Sequence, residues 1–160
     1  MTDDRLLITS KEMPVTARSL NNLQVEILAD HEFHLHADEP VHNGGDNTGP
    51  DPYGLLLSSL AACKVMTVQM YARRKQWPLE EVKVQLDYQR IKAKDCEDCT
   101  SPPNANVDII TVNIGFTGPL DDDQIARLTE ISERCPVHRT LLSETKIRTT
   151  AVSPSNIEMA

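Results

Sequence analysis

Asp51–Pro78 reads DPYGLLLSSLAACKVMTVQMYARRKQWP, and its length, caps and composition together describe one long helix. Leu55 to Ala72 is almost continuously apolar, but Ser58, Ser59, Lys64, Thr67 and Gln69 interrupt it and polar segments flank it. A buried helix of a soluble protein fits this pattern better than a membrane span. Asp51 can cap the free backbone donors, and Pro52 suits the first helical position, where no intrahelical N–H bond is needed. At the other end Arg73-Arg74-Lys75 place cations at the negative pole of the helix dipole, before the break at Trp77-Pro78. Because the helix is apolar around most of its circumference, a single sheet face leaves much of it wet. It needs cover from several sides, for which a second copy of the chain is a natural candidate.

Strand patterns lie on both sides of it. Upstream, Leu23, Val25, Ile27 and Ala29 alternate with polar residues, as do Phe33, Leu35 and Ala37 with Glu32, His34 and His36, which predicts a hairpin around Asp30-His31. Downstream, Val82, Val84, Leu86 and Tyr88 mark one long strand and Ile110, Val112, Ile114 and Phe116 another, with a polar loop from Asp95 to Asn106. Asp121-Asp122-Asp123 favours a helix start, after which Ile125, Leu128, Ile131 and Cys135 continue one apolar stripe. Pro136 opens a short helix through Leu142, and Ile147 to Val152 reads as a last strand. Gly44 to Pro50 is the loop that delivers the chain into the long helix. Strands, helix, strands, helices and strand in that order predict an α+β fold with antiparallel sheets, as a single domain over residues 1–160.

The formal net charge of −8 over 160 residues removes any general attraction for nucleic acid or anionic membranes, so small-molecule or protein partners are expected. Met1-Thr2-Asp3-Asp4-Arg5 carries acidic residues where a signal peptide needs positive charge, which predicts a cytoplasmic protein. In that reducing compartment the four cysteines are expected to be free, metal-bound or transiently redox-active.

Cys63 sits among small and apolar neighbours, while Cys135 closes one helix and precedes the proline that opens the next. Each places a thiol toward a buried interface, and the pair points to thiol chemistry. At a helix cap near His138 and Arg139, Cys135 has the more obvious local means of stabilising a thiolate. His138 itself reads as a surface or interface residue. Cys96 and Cys99 form a lone Cys-x2-Cys, half of a zinc site by spacing. Metal binding, a disulfide and plain loop packing all remain open for it, with packing favoured. Its acidic neighbours raise a thiol pKa and argue against this being the reactive pair. His34 and His36 have the spacing of shared metal ligands but need none on a solvated strand face.

Gly49-Pro50-Asp51-Pro52-Tyr53-Gly54-Leu55-Leu56-Leu57-Ser58-Ser59-Leu60-Ala61-Ala62-Cys63 and the later Cys135-Pro136-Val137-His138 resemble the two cysteine motifs of the OsmC/Ohr family, the osmotically inducible and organic hydroperoxide resistance proteins. The resemblance implies an intertwined homodimer of α+β subunits, with long helices buried between two sheets and active sites at the subunit interface. It further implies that Cys63 attacks a small organic hydroperoxide and becomes a sulfenic acid. Cys135 then captures it as a disulfide, and a dithiol, in many members a lipoylated protein, reduces that disulfide with no bound cofactor or metal. Two departures stand out. Tyr53 follows Pro52 where hydroperoxide resistance proteins usually carry a glutamate, and Arg18 is merely the nearest candidate for their activating arginine. Asp38-Glu39-Pro40 and Cys135-Pro136-Val137-His138-Arg139-Thr140-Leu141 look closer to a branch of unassigned substrate, so weaker or different peroxide chemistry is expected. The competing readings are a non-enzymatic protein that binds a small lipophilic ligand in the same cleft and a redox sensor built on the same pair.

Overall fold

The computed structural model describes residues 14–159; the acidic start Met1 to Arg5 lies outside them. The described chain is α+β, with small antiparallel sheets and one long helix, and it groups into two compact units.

The first unit draws on residues up to Leu55 and from Arg148 onward. Its sheet has the order β1 (Val15–Ser19), β2 (Val25–Ala29), β3 (Phe33–Ala37), antiparallel throughout. The hairpin forms where the alternation predicted it. Asp30 and His31 both take positive φ, 53° and 58°, and Glu32 N–H donates to Ala29 O at 3.1 Å, the pattern of a turn whose twist matches that of the flanking strands. The side facing the core differs from expectation: Leu28 is the buried residue of β2, while Phe33 and Leu35 of β3 remain 58% and 45% exposed. β1, which its short sequence did not announce, pairs Arg18 with Glu26 across the strands.

After β3 the chain wraps around one buried carboxylate. Asp38 is 2% exposed and accepts from Glu39 N–H (2.8 Å), Asp46 N–H (3.1 Å), Thr48 N–H (3.0 Å) and the Thr48 hydroxyl (2.8 Å). His36 Nε2 lies 2.9 Å from the same hydroxyl; since that hydroxyl donates to Asp38, the imidazole N–H donates to it. The loop closes so tightly that a Cβ on Gly45 would stand 1.9 Å from Glu39 O, which leaves room only for glycine. Burial pushes the Asp38 carboxyl up, but the bonds from Thr48, Glu39 and Asp46 outweigh it and hold the pKa below its ordinary value. A depressed carboxylate contributes stability that is present above its unfolded pKa and is lost as pH falls through the folded one. Asp38→Asn is therefore expected to lower the melting temperature at pH 7 by roughly several degrees. The difference from the parent should shrink below about pH 4. A thermal-melt series against pH checks both.

The helix α1 (Pro52–Lys75) has the predicted bounds. Asp51 accepts from Gly54 N–H through its side chain at 2.6 Å and from Leu55 N–H through its backbone at 3.0 Å. At the far end Gln76 turns left-handed (φ 56°), while Trp77 N–H reaches Ala72 O and Gln76 N–H reaches Arg73 O, a Schellman closure. By length and composition α1 could cross a membrane, but Leu60, Lys64, Val68 and Ala72 form a stripe of buried positions along it. Met66 and Met70 on its other side remain 59% and 58% exposed.

The second unit runs from Leu56 to Ile147. β4 (Glu81–Lys92) and β5 (Asn106–Thr117) pair antiparallel, opposing Val82 to Phe116, Val84 to Ile114, Leu86 to Val112 and Tyr88 to Ile110. The two alternations thus share one apolar face. α2 (Asp122–Ser132) starts with a capping box between Asp121 and Gln124. It buries Leu128 and Ile131 against Val68, Ala72 and Val82. α3 (Pro136–Leu142) follows.

The expected strand at Ile147 to Val152 is absent: that stretch has no regular structure, with Ile147 89% and Val152 53% exposed. A strand exists only where a neighbour pairs its N–H and C=O groups, and none within the described residues does so.

Candidate active site

α1 carries Cys63 about midway along its length, partly exposed, whereas Cys135 is fully buried; both are free thiols. Cys135 does not extend the α2 stripe as expected. α2 ends at Ser132, and the residue before a proline is driven from helical to extended backbone, so Cys135 (φ −62°, ψ 140°) becomes the N-cap of α3. Its Sγ accepts from His138 N–H at 3.3 Å. This turn brings the Cys135 side chain into interaction with Cys63, across a long sequence separation but inside one unit.

The acidity of Cys135 also departs from the sequence reading. Burial pushes the thiol up, the interaction with Cys63 and the charge of a Cys63 thiolate push it further, and the His138 N–H and the Lys64 charge only partly offset them. Desolvation of the thiolate outweighs the cap. Of the two thiols, Cys63 is the one a solute can reach, and Cys135 is the shielded, weakly acidic one.

The residue that sequence reasoning missed is Lys64. It registered only as an interruption of the apolar run, yet it is 2% exposed. Its Nζ donates to Ser132 O at 3.1 Å and lies 3.1 Å from His138 Nδ1. The available signal was a single lysine inside Ala62-Cys63-Lys64-Val65-Met66, where the charged end of the side chain cannot easily reach water. His138 is accordingly half-buried, not a plain surface residue; burial and then the Lys64 charge push its pKa down, with Glu133 opposing. His138 also lines an open cleft of about 550 Å³, together with Glu130, Glu133, Arg134, Arg139 and Leu142.

The other singled-out residues lie elsewhere. Arg18 is mostly exposed and pairs with Glu26 at 2.5 Å on the β1–β2 sheet. Tyr53 is 44% exposed in the first turn of α1. His34 is exposed and His36 is engaged by Thr48. Cys96 and Cys99 form a disulfide with a Cα–Cα distance of 5.5 Å, so the favoured loop-packing reading gives way to the crosslink. The 3₁₀ turn Ala93–Asp95 leads directly into Cys96, and the resulting spacing is one a disulfide spans. Asp98 sits beside them; the three would form a cluster of potential metal ligands only with the disulfide reduced, and no other cluster of three or more such groups occurs among the described residues.

A family model described as OsmC-like protein matches residues 44–150, which include both Cys63 and Cys135. Among solved structures, an OsmC-like protein from Mycoplasma pneumoniae superposes with a TM-score of 0.60 at 24% identity, covering 83% of this chain and 89% of that one. An organic hydroperoxide resistance protein OsmC from Legionella pneumophila gives 0.58 at 20%, covering 81% and 88%. The organic hydroperoxide resistance protein OhrB of Bacillus subtilis gives 0.55 at 18%, covering 80% and 88%. At these identities the likeness establishes the fold. No curated protein matches the chain. With the family model spanning most of the sequence and both cysteines inside it, the chain belongs to the OsmC-like protein family.

Proposed function

We propose that this protein is a cytoplasmic thiol peroxidase that reduces small organic hydroperoxides through Cys63 and Cys135. The observation that carries the reading is the meeting of two free thiols from distant parts of the chain, one reachable and one buried. The Cys63 thiolate attacks the terminal peroxide oxygen, the O–O bond breaks, an alcohol leaves, and Cys63 becomes a sulfenic acid. The Cys135 sulfur then displaces hydroxide from Cys63, which departs as water, and a disulfide remains. A dithiol such as a lipoylated protein returns both to thiols by exchange, which needs neither cofactor nor metal.

The working unit in this proposal is a homodimer of single-domain subunits. Support comes from apolar side chains that one chain leaves open, namely Phe33 and Leu35 on β3, Met66 and Met70 on α1, and Ile147. Large apolar side chains left exposed in each unit are the kind of surface that a partner subunit covers.

Steady-state consumption of cumene hydroperoxide with dihydrolipoamide tests the function. Many equivalents consumed per protein chain support it; a single equivalent points to a sensor, and none, with both thiols still reduced, to a binding protein. Cys135→Ser is expected to consume the first equivalent normally and then to lose steady-state turnover by at least about tenfold. Cys63 should accumulate with two added oxygens as sulfinic acid, because no thiol captures the intermediate. Rapid-quench mass spectrometry of the variant checks this.

A further inference from the structure

Beside Cys135, a second ionisable side chain of the same unit is buried, and the thiol cycle leaves it unused. Lys64 follows Cys63 in sequence and is 2% exposed. An ammonium carries three donors and no acceptor. His138 Nδ1 is therefore the acceptor of the 3.1 Å contact, and the ring proton sits on Nε2. A second donor goes to Ser132 O. Among the described residues no carboxylate forms an ion pair with Lys64. A cation held out of water by one carbonyl and one neutral ring, without an opposite charge, is costly to keep. The cycle supplies an opposite charge transiently: Cys135 must lose its proton to attack, and burial opposes that loss. Lys64 acts on Cys135 in the favourable direction.

We propose that Lys64 supplies the charge for the resolving step, its ammonium held by Ser132 O and His138 Nδ1 so that it stabilises the Cys135 thiolate as that thiolate attacks the sulfenic acid on Cys63. The new S–S bond forms as the Cys63 S–O bond breaks, and the proton given up by Cys135 leaves with the hydroxide as water. Lys64 exchanges no electrons and acts through Cys135 as a positioning residue. Among the described residues, the titratable groups around it are Cys63 on its own helix, Cys135 at the N-cap of α3, His138 on α3, and Glu133 between α2 and α3, which bears on His138. Glu130, Arg134 and Arg139 line the cleft that His138 reaches.

The inference rests on the proposed peroxidase cycle for its purpose but not for its measurement. In a background with Cys63, Cys96 and Cys99 replaced by serine, Cys135 is the sole cysteine, and the carbon-13 Cβ shift of cysteine-labelled protein follows its thiolate, free of tyrosine ionisation, as pH is raised. Lys64→Met should move that titration up by about one to three pH units, and Lys64→Arg should hold it near the parent. Lys64→Gln serves as a second neutral variant should the methionine variant not fold. An unmoved midpoint in a folded neutral variant overturns the proposal. In the otherwise native chain, rapid mixing with cumene hydroperoxide should then show sulfenic acid forming at the parent rate in Lys64→Met and the disulfide forming at least about tenfold more slowly at pH 7, with arginine restoring it. Equal disulfide rates also overturn it. A shifted titration in a protein that never reacts with hydroperoxide overturns the peroxidase reading and leaves the charge assignment standing.

Discussion

Cys63→Ser is expected to abolish hydroperoxide consumption, lowering the steady-state rate at least about a thousandfold, as removal of an attacking nucleophile does. A serine hydroxyl is almost isosteric, but it is not ionised near neutral pH and is not the soft nucleophile that a thiolate presents to a peroxide oxygen. The buried thiol cannot substitute, because Cys135 is fully enclosed and burial holds its proton on. The fold should persist, since the change sits on the partly exposed side of α1 and leaves the Leu60, Lys64, Val68 and Ala72 stripe intact. Circular dichroism and the melting temperature of the variant separate loss of chemistry from loss of structure. Retained turnover in a folded Cys63→Ser protein would mean that another group attacks the peroxide.

Leu128→Ala should have the largest effect on stability, about 2–5 kcal/mol. Leu128 is fully buried on α2 in a cluster with Val68 and Ala72 of α1, Val82 of β4 and Ile131. Helix, helix and strand meet at that one side chain, so truncation leaves a cavity that no single element can close by shifting. Against a total stability of about 5–15 kcal/mol, the melting temperature is expected to fall by roughly 5–15 °C. Urea unfolding provides the free energy directly. A loss below about 1 kcal/mol would show that the cluster repacks freely.

Local and periodic signals were legible in the sequence. The cap at Asp51, the proline at position 52 and the trailing cations marked α1 to its terminal residues, and the period-two patterns of β4 and β5 predicted two strands, which the structure pairs side by side and antiparallel. Both thiols were found, because a cysteine at a helix cap and one among small apolar residues are visible without a fold. Non-local consequences stayed hidden. That Cys135 leaves α2 follows from Pro136 acting on the backbone before it. That its thiol resists ionisation depends on how much structure encloses it. Lys64 looked like a polar interruption because only tertiary packing reveals that its ammonium ends at Ser132 O and His138. Asp38 became the anchor of its loop through three other residues of that loop, a convergence no spacing rule announces. The alternating residues at Ile147 to Val152 fail to form a strand because β patterning states a preference for pairing without supplying the neighbour.

The most direct test of the Cys63 and Cys135 cycle is an intact-mass measurement with a non-reducing peptide map. Fully reduced protein is mixed with one equivalent of cumene hydroperoxide, and hydrogen peroxide is run alongside. The expected result is rapid loss of two hydrogens, mapped to a Cys63–Cys135 crosslink. Both thiols remaining reduced, or a crosslink found only between Cys96 and Cys99, would contradict the cycle at its central step.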